Sequence, residues 1–308
     1  MLSKPAVSLC IPTNGVMEWV FPVLDSIYEQ NVEHEVFEVI VTDNGNNEKF
    51  SEKMETYLKK YSNILYKKTD AIMFLNQIES FKLANGELIK FVNHRTKLLP
   101  GSLQYLVNFV LKNVQNKPVV YFSNGFLDGT KNVREVGEFD SFVSELSYWS
   151  SWSGGLAVWK EHFDEIPLNA EFNSLFPHTT VLFFEKDSNC YTVDNTLLLE
   201  EIPASHGKKG NYDLFFAFAV EFLGIIEDLL RQKQISLETF LKIKRENKRF
   251  IADLYLDFVV EKKQCSYEIA NYKNSISVYY TMGQIKLLSY YRFCKRVAGG
   301  IIYRKGKK

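Results

Sequence analysis

The sequence predicts an α/β protein with a mostly parallel central sheet covered by helices on both faces, followed by a helical C-terminal section. Two observations lead to this fold class. Short apolar runs alternate with segments of helical periodicity through roughly the first 205 residues, and uniformly apolar runs are typical of strands buried on both faces. Beyond that point the strand pattern stops, and only helical periodicity remains over 213–232 and 236–260.

The individual elements follow from local signals. The predicted strands are 7–11, 37–42, 64–66, 88–92, 119–122 and 156–159, and the predicted helices are 20–28, 48–61 and 74–84. Pro12 ends the first strand, the turn-forming run 43–47 ends the second, and Asn85-Gly86 is typical of a helix C-terminus. We predict one α/β domain over 1–205 and a helical region with a basic amphipathic tail over 206–308, with 205–210 as the hinge.

Composition indicates an ordinary folded protein. The chain has 308 residues, of which 46% are hydrophobic and 24% are charged, so it can bury a sizeable core. Its 37 basic and 37 acidic residues give zero net charge, which argues against a nucleic-acid binder because such proteins need a positive field. With no recognisable signal peptide, no apolar run long enough to cross a bilayer and four widely separated cysteines, we expect a cytoplasmic protein.

Polar residues follow three of the predicted strands. They are Thr13 and Asn14, then Asp43 and Asn44, and then the tripeptide Asn93-His94-Arg95. Ligands of open α/β sheets bind beyond the carboxyl ends of the strands. These residues are therefore the first candidates for a binding site.

Five motifs occur in order along this part of the chain. They are Val7–Asn14, Ser26–Gln30, Val39–Gly45, Asn76 followed by Ala84-Asn85-Gly86-Glu87, and Leu99–Leu103. This order resembles the family 2 glycosyltransferases of the GT-A fold over roughly residues 5–205, and within that family the O-antigen and capsule enzymes of the abequosyltransferase type. The resemblance implies a Rossmann-like domain that transfers a sugar, with inversion, from a nucleotide-diphosphate donor to a glycan or polyprenol-linked acceptor in surface polysaccharide synthesis.

The loops after the first two predicted strands form the predicted donor site. The resemblance implies that Pro12, Thr13, Asn14, Asp43 and Asn44 contact the nucleotide. A carboxylate at position 43 can accept the ring N–H of a pyrimidine base, and the alternative is that it only forms an Asx turn. The hydroxyl of Thr13 either hydrogen-bonds the base or ribose, or caps a helix.

The third loop departs from the family pattern. Asn93-His94-Arg95 stands where relatives have a D-x-D pair, whose carboxylates hold a divalent cation on the donor's diphosphate. Arg95 cannot ligate a cation, but its guanidinium can pair with phosphate oxygens. We expect no metal cofactor, with a divalent cation as the disfavoured alternative, and Asn93, His94 and Arg95 as donor-binding residues. The other interpretation of Arg95 is a surface arginine, salt-bridged beside a decayed site.

A second departure lies on the predicted acceptor side. Trp152, Gly154 and Gly155 belong to a segment that resembles the family's acceptor-binding turn. Downstream, where relatives carry an acidic catalytic base, this chain has His178, and histidine suits proton removal near neutral pH. The alternatives are a capping or core role for His178, with the base supplied by one of three nearby acids, namely Asp164, Glu165 and Glu171.

Two basic segments complete the prediction. Lys208 and Lys209 lie where relatives have a mobile loop over the donor, and they either supply positive charge to the diphosphate or belong to a solvated linker. The last segment, 290–308, mixes seven basic residues with aromatic and aliphatic ones, which suits an anionic membrane surface; the alternative is a solvated tail.

The sequence therefore predicts a nucleotide-sugar-dependent glycosyltransferase, metal-independent and peripheral to the inner face of the membrane, with Arg95 and His178 as catalytic residues. The main alternative is a non-catalytic member that binds a nucleotide or glycan, or scaffolds an assembly. A nucleotidyltransferase is disfavoured because such enzymes depend even more on a metal, and no Gly-rich basic loop follows the first strand.

Overall fold

The computed structural model describes residues 4–127, 132–203 and 212–305, with side chains as far as residue 298. Within these residues the predicted class is confirmed: the protein is α/β, with a mostly parallel central sheet and additional C-terminal helices. The strands are β1 (Val7–Thr13), β2 (Phe37–Asp43), β3 (Ile64–Lys68), β4 (Leu88–Phe91), β5 (Thr96–Leu98), β6 (Val119–Phe122), β7 (Val133–Val136), β8 (Ala157–Trp159), β9 (Tyr191–Asp194) and β10 (Leu199–Glu201).

The helices follow the same order along the chain. They are α1 (Met17–Tyr28), α2 (Glu48–Lys60), α3 (Asn76–Lys82), α4 (Ser102–Asn113), α5 (Phe139–Leu146), α6 (Lys160–Asp164), α7 (Pro177–Leu182), α8 (Leu214–Phe216), α9 (Phe222–Arg231), α10 (Leu237–Leu254), α11 (Tyr272–Ser277) and α12 (Met282–Lys305). None of the helices described is long and apolar enough to cross a bilayer.

The central sheet has the order β3-β2-β1-β4-β8. The first four strands are parallel and β8 is antiparallel to β4. Thr13 pairs with Asp43 and Asp43 pairs with Lys68, so the ends of β1, β2 and β3 lie side by side. The residues that follow β1, β2 and β4 therefore meet at one edge.

Two smaller sheets complete this part of the protein. β5 and β10 form an antiparallel pair, and β9 lies between β6 and β7. The β5–β10 pair matters for the site because Thr96, the residue after Arg95, lies opposite Glu201.

Burial explains why the strands read as continuous apolar runs. In β1, Val7, Leu9 and Ile11 on one face and Ser8 and Cys10 on the other are all fully buried, because both faces of the sheet are covered. Their packing stabilises the sheet without any alternating polar face, so the loops at its edge can present polar groups.

The described residues form two compact units. One comprises residues 1–142 and 149–203, and the other comprises 143–148 and 204–308. In the second unit a π-helical turn over Ala217–Glu221 joins α8 to α9, and another over Tyr255–Val260 extends α10, so both predicted C-terminal helices are confirmed. The domain boundary near residue 205 stays a prediction.

Candidate functional site

A buried asparagine holds the ends of β1 and β2 together. The Nδ2 of Asn76 donates to the carbonyl oxygens of Thr13 at 3.1 Å and Thr42 at 2.9 Å. The main-chain N–H of Asn44 also donates to the oxygen of Thr13, at 3.0 Å. These bonds fix the two predicted nucleotide loops relative to each other.

The other residues of these loops differ in exposure. Pro12 is half-buried and Asn14 is exposed. The Nδ2 of Asn44 donates to the carbonyl oxygens of Ala71 and Met73, at 2.8 and 3.2 Å. Asn14 is therefore the most accessible of the five predicted donor-binding residues in these loops.

The carboxylate of Asp43 is fully enclosed by neighbouring donors. Its Oδ1 accepts the N–H of Gly45 at 2.8 Å, which is the Asx turn considered as the alternative role. Its Oδ2 accepts from the hydroxyl of Tyr66 at 2.9 Å and from Nζ of Lys68 at 3.0 Å. The side chain of Lys68 is 47% exposed while that of Asp43 has no exposure, so Lys68 lies on the solvent side of the carboxylate. A base can reach Asp43 only if Lys68 or another of these donors moves.

The tripeptide after β4 forms a tight turn. Oδ1 of Asn93 accepts the N–H of Arg95 at 3.2 Å, and the main-chain oxygen of Asn93 accepts from Thr96 at 2.8 Å. Nδ1 of His94 is hydrogen-bonded to Oγ1 of Thr13 at 2.9 Å, and its ring lies 5.1 Å from that of Trp19. The turn is thus tied directly to the end of β1.

His94 is a neutral group at physiological pH. Burial, and then the neighbouring charge of Arg95, lowers the pKa of His94 to about 4. One ring nitrogen is therefore an N–H donor and the other is an acceptor. His94 adds hydrogen-bonding capacity to the strand edge but no charge.

Arg95 is a further cation at this edge, besides Lys68, and it is only partly paired. Its Nη2 donates to Oε1 of Glu201, while its Nη1 is buried and has no hydrogen-bond partner. The side chain of Arg95 is 14% exposed and that of Glu201 is 56% exposed. The N–H of Ile202 also donates to the oxygen of Arg95 at 2.8 Å. Arg95 therefore differs from an ordinary surface arginine, because half of its terminal guanidinium is enclosed and unused.

The residues at this edge do not fit a hard divalent cation. Such ions prefer several oxygen ligands, but the amide oxygen of Asn93 is already an acceptor for Arg95, whose charge repels a cation. Among the described residues, no group of three or more His, Cys, Asp or Glu side chains is placed to hold a metal.

A buried lysine joins β4 to the predicted acceptor turn. Nζ of Lys90 donates to the carbonyl oxygens of Gly154, Phe91 and Leu156, at 2.5, 3.0 and 3.1 Å. The residue has no exposure, and burial lowers its pKa to about 7. Lys90 thus holds a helical turn over Ser153–Gly155 against the strand that leads to Asn93.

Gly154 and Gly155 are required by the rings that pack on them. A Cβ added to Gly154 would lie 2.4 Å from Cζ2 of Trp152, and one added to Gly155 would lie 2.2 Å from Cζ of Tyr121. The hydroxyl of Tyr121 donates to the carbonyl oxygens of Trp149 and Trp152. The two glycines therefore allow a close aromatic packing, beside any role in acceptor binding.

His178 lies in the first turn of α7 and is buried. Its Nε2 is 2.9 Å from the carbonyl oxygen of Ser151 and must be the donor, since that oxygen can only accept. Burial lowers its pKa to about 4, so the ring is neutral and Nδ1 is an unprotonated acceptor, which is buried without a partner. His178 thereby supports the segment that leads to Trp152, as a core histidine does, and retains a lone pair.

The remaining candidates do not join this cluster of contacts. Asp164, Glu165 and Glu171 are exposed, and Asp164 pairs with Lys160. Lys208 and Lys209 lie outside the described residues.

Sequence reasoning missed four residues of the site: Tyr66, Lys68, Lys90 and Glu201. Lys90 left a recognisable signal, because it is the one charged residue in the apolar run 88–92. The other three act through partners that are distant in sequence, and Glu201 is separated from Arg95 by 106 positions.

Comparison with known proteins places the fold. No protein-family model matches the chain. Over 104 residues it is 32% identical to the uncharacterized protein MT1568 of Mycobacterium tuberculosis (strain CDC 1551 / Oshkosh); this stretch covers 34% of the chain and about a third (32%) of that relative's length.

The chain is similar to solved structures over much more of its length. The fragment 1–349 of S. aureus TarS in complex with UDP has a TM-score of 0.54 at 12% identity, over 90% of this chain and 76% of the fragment. The same fragment in complex with UDP-GlcNAc has a TM-score of 0.52 at 14% identity, over 89% and 71%. Against the longer TarS chain the match covers 43% of that chain. The protein has the GT-A fold of glycosyltransferases.

Proposed function

We propose that the protein is a glycosyltransferase that uses a nucleotide-diphosphate sugar. The observation that supports this most is Arg95, a cation with one buried, unpartnered nitrogen, located after β4 at the carboxyl edge of a GT-A sheet. A diphosphate leaving group develops negative charge as the glycosidic bond breaks, and a preorganised guanidinium stabilises that charge. TarS, which has this fold, was solved with UDP and with UDP-GlcNAc.

The donor nucleotide lies over the loops after β1 and β2 in this proposal. The exposed Asn14 and the half-buried His94, whose Nδ1 is hydrogen-bonded to the buried Thr13, offer polar groups to the base and ribose. Asp43 contributes only after Lys68 has left its carboxylate, so Lys68 is the residue that a base displaces or contacts first. In this proposal, the donor can bind fully only after an existing ion pair, Lys68–Asp43, has opened.

The transfer proceeds without a divalent cation in this proposal. Arg95 supports it because a guanidinium cannot ligate a cation and repels one, and the charge of Arg95 substitutes for that of the ion. His178 removes the proton of the acceptor hydroxyl through the lone pair on Nδ1, and the nucleoside diphosphate leaves with inversion at the anomeric carbon.

The acceptor we propose is a glycan or polyprenol-linked sugar of bacterial surface polysaccharide, as in O-antigen or capsule synthesis by enzymes of the abequosyltransferase type. A membrane-bound acceptor agrees with the outer face of α12, where Leu287, Tyr290 and Tyr291 are 73%, 68% and 53% exposed. Lys295 lies 5.0 Å from the ring of Tyr291, as suits an anionic lipid surface. Arg292 and Arg296 do not add to this charge, because they pair with Asp253 and Asp257.

A non-catalytic nucleotide- or glycan-binding protein is the second candidate. It is favoured by the state of His178, whose N–H is bound to Ser151 and whose pKa of about 4 makes it a weak base. In that case nucleotide binding persists but no sugar is transferred or hydrolysed.

One experiment separates these functions. The protein is incubated with UDP-, CDP-, GDP- and dTDP-sugars, and binding and slow donor hydrolysis are measured with and without EDTA. The proposal expects hydrolysis of at least one donor, unchanged by EDTA and lost in Arg95→Ala. Binding without hydrolysis indicates the non-catalytic protein, and failure to bind any nucleotide refutes both the glycosyltransferase and a nucleotide-binding role.

The matched control is Lys97→Ala. Lys97 lies on the same strand pair and forms the neighbouring ion pair with Glu200, at 3.4 Å, but it is 39% exposed. An equal loss in both variants would attribute the effect to general positive charge and would refute a specific role of Arg95. For the membrane, vesicle sedimentation should weaken in Leu287→Glu and persist in Leu237→Glu, which alters another exposed leucine, at 59% exposure.

A further inference from the structure

Three aromatic rings form an exposed cluster beside the acceptor turn. The ring of Phe126 lies 4.8 Å from that of Trp149, with an angle of 7° between their planes, and 4.9 Å from that of Trp152, at 85°. Phe126 is 44% exposed and both tryptophans are half-buried. We call Phe126, Trp149 and Trp152 the aromatic cluster.

The turn that presents Phe126 is held in a single conformation. Asn124 and Gly125 both have positive φ, at 52° and 80°, which the Asn-Gly pair of a type I′ turn adopts readily. The N–H of Phe126 donates to the oxygen of Ser123 at 3.0 Å and closes the turn. Because left-handed conformations are costly for most residues, an Asn-Gly pair is typical of such a tight turn.

Side-chain hydrogen bonds anchor the same turn from outside. Oδ1 of Asn124 accepts the N–H groups of Leu198 and Leu199, each at 2.8 Å, so the turn is bound to the strand β10. Nδ2 of Asn195 donates to the oxygen of Leu127 at 2.7 Å. An exposed aromatic ring on so well-anchored a turn loses little conformational entropy when a ligand binds.

The two tryptophans are fixed by separate contacts. The hydroxyl of Tyr121 binds both of their carbonyl oxygens, and Trp152 packs over Gly154, whose oxygen accepts from Lys90. Lys90 in turn belongs to β4, whose last residue precedes Val92 and the Asn93-His94-Arg95 turn. The aromatic cluster is therefore connected through Lys90 to the strand that supplies Arg95.

We infer that the aromatic cluster is the subsite for a pyranose ring of the acceptor glycan. Three considerations lead to this occupant. The exposed part of one phenyl ring, framed by indoles, suits the apolar C–H face of a single sugar ring rather than an extended protein surface, since stable protein interfaces need far larger areas. The rings are preorganised, and they adjoin the turn that Lys90 holds near the donor edge.

This inference rests on the proposed function and specifies its acceptor side. The sugar stacks on Phe126 and Trp152, and the stacking holds the acceptor in place while its hydroxyl faces the donor. No charged group of the cluster takes part, so the subsite recognises the shape of the ring and not an ionic substituent.

The test is a glycan-array binding measurement on the full chain. The array presents hexopyranosides, N-acetylhexosaminides and deoxyhexosides, together with polyol-phosphate chains that contain no pyranose ring. We expect binding to at least one pyranoside, weakened about two- to ten-fold in Phe126→Ala and Phe126→Leu, because these variants lose the stacking contact of a flat ring. Phe126→Tyr should bind as the unaltered protein does, because it keeps the flat ring.

The control is Phe216→Ala, which removes a phenyl ring of similar exposure, 41%, from the C-terminal unit. Equal binding by Phe126→Ala and Phe216→Ala, binding to polyol-phosphate chains alone, or binding to no pyranoside would overturn the inference. Nucleotide-sugar binding is measured in parallel. If donors bind and pyranosides do not, the subsite fails and the proposed function stands; if pyranosides bind and no nucleotide does, the proposed function fails.

Discussion

Glu201 accepts a hydrogen bond from Nη2 of Arg95, while Nη1 of the same guanidinium is buried without a partner. Glu201 ends β10, and the main chain of Ile202, the next residue, is bonded to Arg95 as well. The carboxylate of Glu201 thus pairs with the guanidinium that we propose binds the donor's diphosphate. Donor binding and the Arg95–Glu201 pair compete for one guanidinium.

The first prediction follows from this competition. Glu201→Gln should tighten the binding of UDP and of nucleotide sugars by up to about five-fold, since an exposed ion pair is worth at most about 1 kcal/mol. Isothermal titration calorimetry at two salt concentrations measures the effect. Glu200→Gln, which changes the pair with Lys97 instead, should leave the affinity unchanged. Weaker or unaltered binding in Glu201→Gln would show that the carboxylate does not compete with the donor.

The second prediction concerns the contact between Gly155 and Tyr121. Gly155→Ala should lower the free energy of unfolding by about 1–3 kcal/mol, because the new methyl would meet a buried ring whose hydroxyl is bound to two carbonyl oxygens. Chemical denaturation measures the change. Gly137→Ala adds a methyl that meets nothing within 4 Å and should alter stability by less than about 0.5 kcal/mol. Equal stabilities for the two variants would contradict the packing described here.

The third prediction is a rise of stability with pH that is due to Lys90. Burial lowers the pKa of Lys90 from 10.5 to about 7, so between these values the unfolded chain binds more protons than the folded one. The free energy of unfolding should therefore increase from pH 7 towards pH 10, with a slope of up to about 1.4 kcal/mol per pH unit from this group. Lys90→Met should remove that slope, whereas Lys82→Met, at an exposed lysine, should keep it. Parallel profiles for Lys90→Met and the unaltered protein would refute the assignment.

The fourth prediction is acid destabilisation by two histidines. Burial is the first cause that lowers the pKa of His94 and of His178 from 6.5 to about 4. Between these values the unfolded chain takes up protons that the folded chain does not, so stability should fall as the pH drops from 6.5 to 4, by up to about 1.4 kcal/mol per pH unit for each histidine. Thermal denaturation across this range measures the loss.

Single substitutions identify the groups responsible. His94→Gln and His178→Gln should each flatten the acid limb of the stability profile. A limb as steep in both variants as in the unaltered protein would mean that neither His94 nor His178 causes the loss.

The strands of the central sheet were predictable from residues close together in sequence, whereas the strands β5, β7, β9 and β10 of the smaller sheets were not predicted. The apolar run at 7–11 and the turn-rich stretch after residue 42 locate β1, β2 and the loops between them, because strand burial and turn chemistry are local properties. The helices after residue 212 were predictable for the same reason. The abequosyltransferase subtype and the membrane association stay predictions.

The chemical state of each candidate residue was not predictable in this way. Asp43 is a plausible base-binding carboxylate in the sequence, yet its availability depends on Lys68, which lies 25 positions away. The tripeptide Asn93-His94-Arg95 indicated a cation in place of a metal, but not that Glu201 would hold half of that cation. Hydrogen bonds and ion pairs between distant segments depend on strand order and register, which a linear pattern does not contain.

The sequence by itself determined the alternation of strands and helices, the polar edge of the sheet and the replacement of the acidic pair by Asn93-His94-Arg95. Only the tertiary structure decided which of these groups are occupied, buried or exposed. It enclosed Asp43, left one nitrogen of Arg95 without a partner, buried Lys90 under the turn over Ser153–Gly155 and brought Phe126 onto two tryptophans. The physical reason is that burial and partnership set a group's charge and reactivity, and both arise from contacts between parts of the chain that are far apart in sequence.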